Sequence, residues 1–224
     1  DTTIDVLRGI LIIMMLIGCF SINNNLRIII YSCNITAFVF FSGYFYNTSR
    51  GCIENKKTTI KNFLKPYIVF IIFDMILNFS KWNIGYLKDS LIRYLFGMSL
   101  SKSILKDIAS VGPVCFILLL FVVRYIYIYI DKIKNKWIQW AVMLCISLLG
   151  YALGNEGYWL PWSIDVAMYC IVFYKLGVYF NQSGLLKFAK ENSCIYFLIS
   201  PIWVYMIYTG GMEIATRNYG QYGI

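Results

Sequence analysis

Four charged residues interrupt long apolar runs of this sequence: Asp74, Arg124, Asp165 and Lys175. Within a membrane such residues are rare and usually face a polar cavity or an ion partner, so each is a candidate for function. Asp74 has the strongest case, because apolar residues surround it on both sides in FIIFDMILNF. The alternatives are that Asp165, close to Trp162, is a water-exposed interfacial residue, and that Arg124 and Lys175 snorkel towards a membrane surface.

A second pattern joins a cation to a thiol in the first apolar run. Ten residues separate Arg8 from Cys19 in Asp5–Cys19 (DVLRGILIIMMLIGC). In a helix the two positions are roughly 16 Å apart, so their side chains cannot meet at one small group. They can mark two points of one path, since arginine suits phosphate oxygens and a thiolate is a nucleophile. The simpler alternatives are that Arg8 only flanks the end of a membrane helix and that Cys19 is a small buried hydrophobe.

The composition is typical of a membrane protein. The chain is 59% hydrophobic and 14% charged, whereas a soluble domain has about 25% charged residues. The segment Ser80–Asp107 carries several charges and is predicted to contain an interfacial or re-entrant helix. A spanning helix needs about 20 mostly apolar residues, and the windows that qualify, at least approximately, lie near 4–22, 26–46, 64–79, 108–130, 137–154, 162–180 and 194–210. We therefore predict an all-α, polytopic membrane helix bundle with about seven transmembrane helices.

The basic residues are distributed as in membrane proteins, despite a net charge of +9 that is also compatible with nucleic acid binding. With the N-terminus in the cytoplasm, ten of them lie on inner connections around 50–65, 131–136 and 181–193, and seven lie on the outer side. Positive residues favour the cytoplasmic side. We therefore predict a cytoplasmic N-terminus, membrane lipid as the partner of the basic connections and no nucleic acid partner.

The cysteines do not suggest a disulfide framework or a metal site. There are seven of them, an odd number without Cys-x-x-Cys spacing, and the sequence contains no histidine. Most lie in apolar runs, where cysteine behaves as a small hydrophobe. No metal is predicted.

Several stretches resemble the membrane acyltransferase 3 family, whose members typically open with an acid, a basic residue and glycine before an apolar run ending in Gly-His. Asp5–Cys19 has this frame, and Ile30–Phe45 (IYSCNITAFVFFSGYF) resembles the next run, where a second histidine precedes Phe-Phe-x-Ser-Gly-Tyr. Lys61–Tyr67 (KNFLKPY), Val111–Arg124 and Leu160–Phe180 resemble later motifs in the same order. The resemblance extends from about residue 5 to residue 180.

The resemblance implies a multi-pass protein of the bacterial plasma (inner) membrane. Such a protein transfers an acyl group, such as acetyl, from cytoplasmic acyl-CoA to a hydroxyl of a sugar or other cell-envelope acceptor. Residues 1–224 are then one acyltransferase 3-like membrane domain, which we expect to be incomplete at its C-terminal end. The histidine positions of the family hold Cys19 and Asn34, which are thus the candidate catalytic positions.

The resemblance also implies roles for other side chains, with acetyl-CoA or another acyl-CoA as the donor and no metal. Donor binding is assigned to Arg8, Lys61 and Lys65. Since both histidines are replaced, an alternative is a catalytically inactive relative that acts as a transporter or acyl relay. A third is a decayed fragment that does not fold alone. The predicted supporting polar residues are Asp5, Ser42, Asp74, Arg124 and Asp165.

Overall fold

The computed structural model describes residues 2–20, 24–79, 83–97, 114–156 and 160–184. Every regular element in these ranges is helical, so the predicted all-α class is confirmed for this part of the chain. A π-helical segment covers Ile60–Leu64, and a short 3-10 turn covers Pro161–Ser163. The α-helices are α1 (Thr2–Phe20), α2 (Asn24–Tyr44), α3 (Cys52–Thr59), α4 (Lys65–Leu77), α5 (Ile84–Phe96), α6 (Cys115–Ile130), α7 (Lys136–Asn155) and α8 (Ile164–Ser183).

Most of the predicted apolar windows coincide with helices. Those near 4–22, 26–46, 137–154 and 162–180 correspond to α1, α2, α7 and α8, whereas the window at 194–210 lies outside the described residues. Among the described helices, Lys136–Asn155 and Pro161–Ser183 are long and apolar enough to cross a membrane. The helix Cys115–Ile130 is apolar but shorter.

The chain divides into two compact units. The described residues up to Tyr46 and from Phe173 onward form the first unit, and those within Asn47–Val172 form the second, so α8 contributes to both. Val39 of α2 and Val178 of α8 are fully buried in the first unit. The fully buried apolar side chains of the second unit include Leu118, Val123, Tyr127, Ile128, Met143, Val166 and Ile171.

The second unit begins with a helix, α3, where the sequence analysis placed only a basic connection. The Asn55 side chain donates hydrogen bonds to the backbone carbonyls of Asn47 and Arg50, both at 3.2 Å. Arg50 also forms a salt bridge at 3.7 Å with Glu54, four residues later. These contacts tie the start of α3 to the preceding loop, so the connection around 50–65 is largely helical.

Pro66 lies in the first turn of α4, but it does not begin a separate helix. α4 continues directly from the π-helical segment Ile60–Leu64, which follows α3. Proline has no N–H to donate, and a π turn is one way in which a helical run accommodates an interrupted hydrogen-bond pattern. Residues 52–77 are therefore one helical run with a local change of pitch before Pro66.

Helix α5 confirms the helix predicted within Ser80–Asp107, and its interfacial or re-entrant placement stays a prediction. Its N-cap, Asn83, accepts a hydrogen bond from the Tyr86 backbone N–H at 2.6 Å, a typical capping contact. The helix ends at Gly97, whose φ of 55° is left-handed. Tyr94 is buried on one face and Ile84 is exposed on the other.

Two glycines bring α2 and α8 into close contact within the first unit. A Cβ atom at Gly43 would collide with the backbone carbonyl of Tyr174, and one at Gly177 would collide with that of Phe40. The Phe40 ring also packs edge-on against Phe180, with 5.3 Å between the centroids. Small residues that allow backbones to approach are typical of packing between membrane helices.

A similar approach joins α7 to α8 within the second unit. A Cβ atom at Gly150 would lie 2.6 Å from both the Asp165 carbonyl oxygen and the Tyr169 amide nitrogen. The Ser147 hydroxyl donates a hydrogen bond to the Tyr169 carbonyl at 2.9 Å. Gly154 is buried as well, so α7 presents the Gly-x-x-x-Gly pattern of associating membrane helices.

Large apolar side chains are exposed along α1 and α4. On α4, Val69 is 64% exposed and Leu77 is 66% exposed. Soluble monomers rarely expose extensive apolar surface of this kind. The two helices are therefore suited to contact lipid, and their exposed apolar residues also include Val6, Ile10, Ile13, Leu16, Ile17, Ile68, Ile72, Phe73 and Ile76.

Candidate functional site

Asp74, in the last turn of α4, is the centre of a cluster of polar side chains in the second unit. Its Oδ2 atom accepts hydrogen bonds from the Tyr94 hydroxyl and, at 3.4 Å, from Arg93 Nη2. Arg93 Nη2 also donates to the Tyr94 hydroxyl at 2.9 Å, and Asn78 donates to Asp74 Oδ1 at 3.3 Å. The predicted candidate Asp74 thus has an ion partner, Arg93, that the sequence analysis did not assign to it.

Side chains from two other elements hold the last turn of α5 in place. The Tyr67 hydroxyl donates a hydrogen bond to the Tyr94 carbonyl at 2.7 Å, and the Trp162 indole N–H donates to the Leu95 carbonyl at 2.6 Å. Carbonyls in the last turn of a helix lack partners within the helix, so these donors stabilise its end. Tyr67 and Tyr94 also pack with Leu118 of α6 in one buried apolar cluster.

Helix dipoles explain why Asp74 needs a cation beside it. Asp74 lies at the C-terminal end of α4, where the dipole disfavours an anion, and Arg93 lies at the same end of α5, where it favours a cation. The two side chains are 26% and 23% exposed. Burial, and then the hydrogen bond to Asp74, raise the pKa of Tyr94 to about 12. The cluster can hold an ion pair and a phenolic proton at neutral pH, but it contains neither a thiol nor an imidazole.

The two predicted catalytic positions lie on α1 and α2 of the first unit. Cys19 belongs to helix α1, and its side chain lies outside the part that the structure describes. Asn34 is 2% exposed, and neither polar atom of its amide has a hydrogen-bond partner among the described residues; the same holds for the buried hydroxyl of the predicted residue Ser42. Buried polar atoms are usually paired, so Asn34 and Ser42 are distinctive polar points on the buried face of α2.

The residues predicted to bind the donor are distributed over both units. The Arg8 guanidinium of the first unit lies 4.0 Å from the centre of the Phe45 ring, within cation–π distance. Lys61 and Lys65 of the second unit are exposed, and so is the predicted supporting residue Asp5 in the first unit. The convergence of the three cations on one donor site stays a prediction, since it joins residues of different units.

The other charged candidates are buried within the fold. Asp165, in the first turn of α8, is 0% exposed, so the alternative of a water-exposed carboxylate is wrong. Arg124 is also buried, with its guanidinium 6.0 Å from the centre of the Phe63 ring. Lys175 is buried in the first unit. Both cations are thus largely shielded by the fold, and the snorkelling alternative stays a prediction.

A second polar cluster, which the sequence analysis did not identify, joins α3 to α6. Lys56 Nζ donates a hydrogen bond to the Tyr129 hydroxyl at 2.8 Å, and this hydroxyl donates to that of Tyr125 at 3.2 Å. The hydrogen bond to Tyr129 is the main cause of a raised Lys56 pKa, so the ammonium stays charged. The contact joins residues 73 positions apart. In the sequence, the only indication of this cluster is that Tyr125 and Tyr129 are four residues apart and precede a basic loop.

The described side chains offer cations rather than metal ligands to a bound molecule. Within the described ranges, no three His, Cys, Asp or Glu side chains come together in a group that could hold a metal ion. Arginine and lysine, in contrast, bind phosphate well. Such side chains are compatible with a phosphate-bearing ligand.

Comparisons with known proteins identified no relative of this chain. No protein-family profile, no curated protein and no solved structure matches the chain. The family resemblance of the motifs therefore stays a prediction, and the function has to be argued from the residues themselves.

Proposed function

We propose that this chain is a multi-pass protein of the bacterial plasma (inner) membrane, with its N-terminus in the cytoplasm. The observation that supports this most is the exposed apolar surface of α1 and α4. Contact with water costs roughly 25 cal/mol for each Å² of such surface, whereas lipid removes that cost. The close glycine contact between α7 and α8 agrees with packing in a membrane.

Within that membrane, we propose that the chain transfers an acyl group from cytoplasmic acyl-CoA to a hydroxyl of a sugar or cell-envelope acceptor. The support is that two of its acyltransferase-like motifs contact one another in the first unit. Gly43 belongs to the motif Ile30–Phe45 and Gly177 to the motif Leu160–Phe180, and each faces a backbone carbonyl of the other helix. The close approach of the two backbones explains why each motif has glycine at this position.

The proposed reaction gives tasks to Cys19 and to the predicted donor-binding residues. Arg8 of the first unit, and Lys61 and Lys65 of the second unit, are each proposed to contribute hydrogen bonds to donor phosphates, because charged hydrogen bonds of this kind are strong. The Cys19 thiolate attacks the carbonyl carbon of the acyl-CoA thioester, and CoA leaves as its thiolate. The acceptor hydroxyl then attacks the acyl group on Cys19, its proton passes to solvent or buffer, and the cysteine thiolate is released.

A second candidate function is binding without catalysis, as a transporter or acyl relay. The observation that favours it is Asn34, which occupies the other histidine position and is buried without a polar partner among the described residues. An amide can bind a polar group, but it has no useful basicity and cannot act as a general base.

An acyl-labelling experiment separates these functions. Purified protein is incubated with radiolabelled acetyl-CoA, and label is measured on the protein before and after hydroxylamine treatment. Transfer through Cys19 predicts label that hydroxylamine removes, that Cys19→Ser abolishes and that the matched control Cys33→Ser retains.

The other outcomes are equally specific. Direct transfer gives acylated acceptor without labelled protein, and Cys19→His should then increase its rate, because a positioned general base contributes about 10²–10⁴-fold. If folded protein gives neither labelled protein nor acylated product, acyl transfer is contradicted and the binding function remains.

A further inference from the structure

Two lysines from different elements converge on one tyrosine ring at the junction of α3 and α6. The ammonium nitrogens of Lys56 and Lys132 lie 4.4 and 5.3 Å from the centre of the Tyr129 ring. Both ammonium groups carry a positive charge, so they repel one another. A bound anion would relieve the repulsion, and the tyrosine ring offers a cation–π contact to both.

The hydrogen bonds of this group leave donors for a ligand. A lysine ammonium has three donors, and Lys56 uses one of them on Tyr129 within the described part of the chain. The hydroxyl of Tyr129 donates in turn to that of Tyr125. Lys56 and Tyr125 therefore retain protons that can be donated to the oxygens of one anion.

The position in the sequence indicates which anion. Tyr125 and Tyr129 lie in the last turns of the apolar helix α6, and Lys132 lies two residues after the helix ends, beyond Asp131. Tyrosines at the end of an apolar helix, followed by lysines, are typical of the level of lipid headgroups. Tyr129 is 46% exposed, so a headgroup has access to it. The nearby carboxylate of Glu54 is paired with Arg50.

We infer that Lys56, Lys132, Tyr125 and Tyr129 form a binding site for the phosphate of an anionic phospholipid headgroup. In this site Lys56 and Tyr125 donate hydrogen bonds to the phosphate, Lys132 supplies a second positive charge, and Tyr129 positions Lys56. The inference rests on the proposed membrane location but is independent of acyl transfer. It differs from diffuse attraction of basic loops to a membrane, because it assigns affinity to particular lysines.

The test uses the purified full chain in neutral detergent, titrated with phosphatidylglycerol and followed by native mass spectrometry. We expect Lys56→Ala to weaken binding about tenfold or more, the loss typical of a charged hydrogen bond. Lys57→Ala removes the same charge from the neighbouring, exposed position and should change binding less than about twofold. Lys56→Arg should retain most of the affinity, and Tyr129→Phe should weaken it by removing only a hydroxyl.

Three results would overturn the inference. Equal losses in Lys56→Ala and Lys57→Ala would show diffuse attraction, and equal affinity for phosphatidylcholine would show that the anionic charge is not recognised. Displacement of the lipid by inorganic phosphate alone would identify a soluble phosphate site instead. If Lys56→Ala fails to fold, Tyr125→Phe and Lys132→Gln provide the same comparison. Membrane insertion is tested separately by alkaline carbonate extraction. A failure of the proposed membrane location can therefore be distinguished from a failure of the lipid site.

Discussion

The backbone carbonyl of Tyr174 lies so close to Gly43 that no side chain can be accommodated at position 43. The relationship is reciprocal within the first unit, because Gly177, three residues after Tyr174, faces the carbonyl of Phe40 in the same way. Both glycines belong to motifs that resemble those of acyltransferases. Their structural role is to let two helix backbones meet.

The first prediction is that Gly43→Val destabilises the first unit. Its side chain has to displace the backbone of α8, and overpacking of this kind typically costs about 1–3 kcal/mol. Unfolding by SDS in mixed micelles measures the change in free energy. Gly9→Val is the matched control, because nothing lies within 4 Å of a Cβ atom at that position. Equal stability of the two variants would contradict the helix contact.

The second prediction concerns the ion pair of Asp74 and Arg93. Each single variant, Asp74→Asn or Arg93→Met, leaves a partly buried charge without its partner, whereas the double variant removes both. We expect a coupling energy of about 0.5–3 kcal/mol in a double-mutant cycle of unfolding free energies. Lys88→Met on the exposed face of α5 is the control. Strictly additive losses would show that the contact contributes nothing to stability.

The third prediction is a loss of stability at alkaline pH that depends on Tyr94. Its pKa in the folded protein is about 12, above the ordinary value of 10.0. Its contribution is therefore complete below pH 10 and is lost as the pH rises towards 12. The thermal midpoint of the wild type should decrease over this range more than that of Tyr94→Phe. Parallel decreases in the two proteins would refute this assignment.

The fourth prediction is that the α3 region faces the cytoplasm. In a cysteine-free background, Lys57→Cys should resist an impermeant thiol reagent added to intact cells and react after the cells are opened. Lys88→Cys, in the segment predicted to lie outside, should react without opening the cells. The motive is the excess of basic residues on the connections assigned to the inside. Ready labelling of Lys57→Cys in intact cells would reverse the proposed orientation.

The sequence predicted the helices better than the polar contacts. Apolar length and turn residues suffice to locate α1, α2, α7 and α8, because a long apolar run has few alternatives to a helix. The partner of Asp74 comes from another helix, and nothing in the spacing of Asp74 and Arg93 specifies how those helices pack. α3 was missed because its sequence is polar and its start depends on hydrogen bonds from Asn55 to the preceding loop.

The burial of Asp165 could not be predicted for a related reason. Its position beside Trp162 suggests an interface, but the side chain is placed by the close approach of α7 and α8 at Gly150. A Gly-x-x-x-Gly pattern indicates that a helix can pack closely, without identifying its neighbour. The contact of Lys56 with Tyr129 depends in the same way on how α3 lies against α6.

Use of an acyl-CoA donor is the central claim, and equilibrium binding of radiolabelled acetyl-CoA to the purified protein in lipid nanodiscs tests it most directly. We predict saturable binding that unlabelled CoA displaces and that Arg8→Gln weakens about tenfold, as expected for loss of a charged hydrogen bond to phosphate. Lys57→Gln should leave the affinity almost unchanged. Folded wild-type protein that shows no saturable binding of acetyl-CoA would contradict the claim.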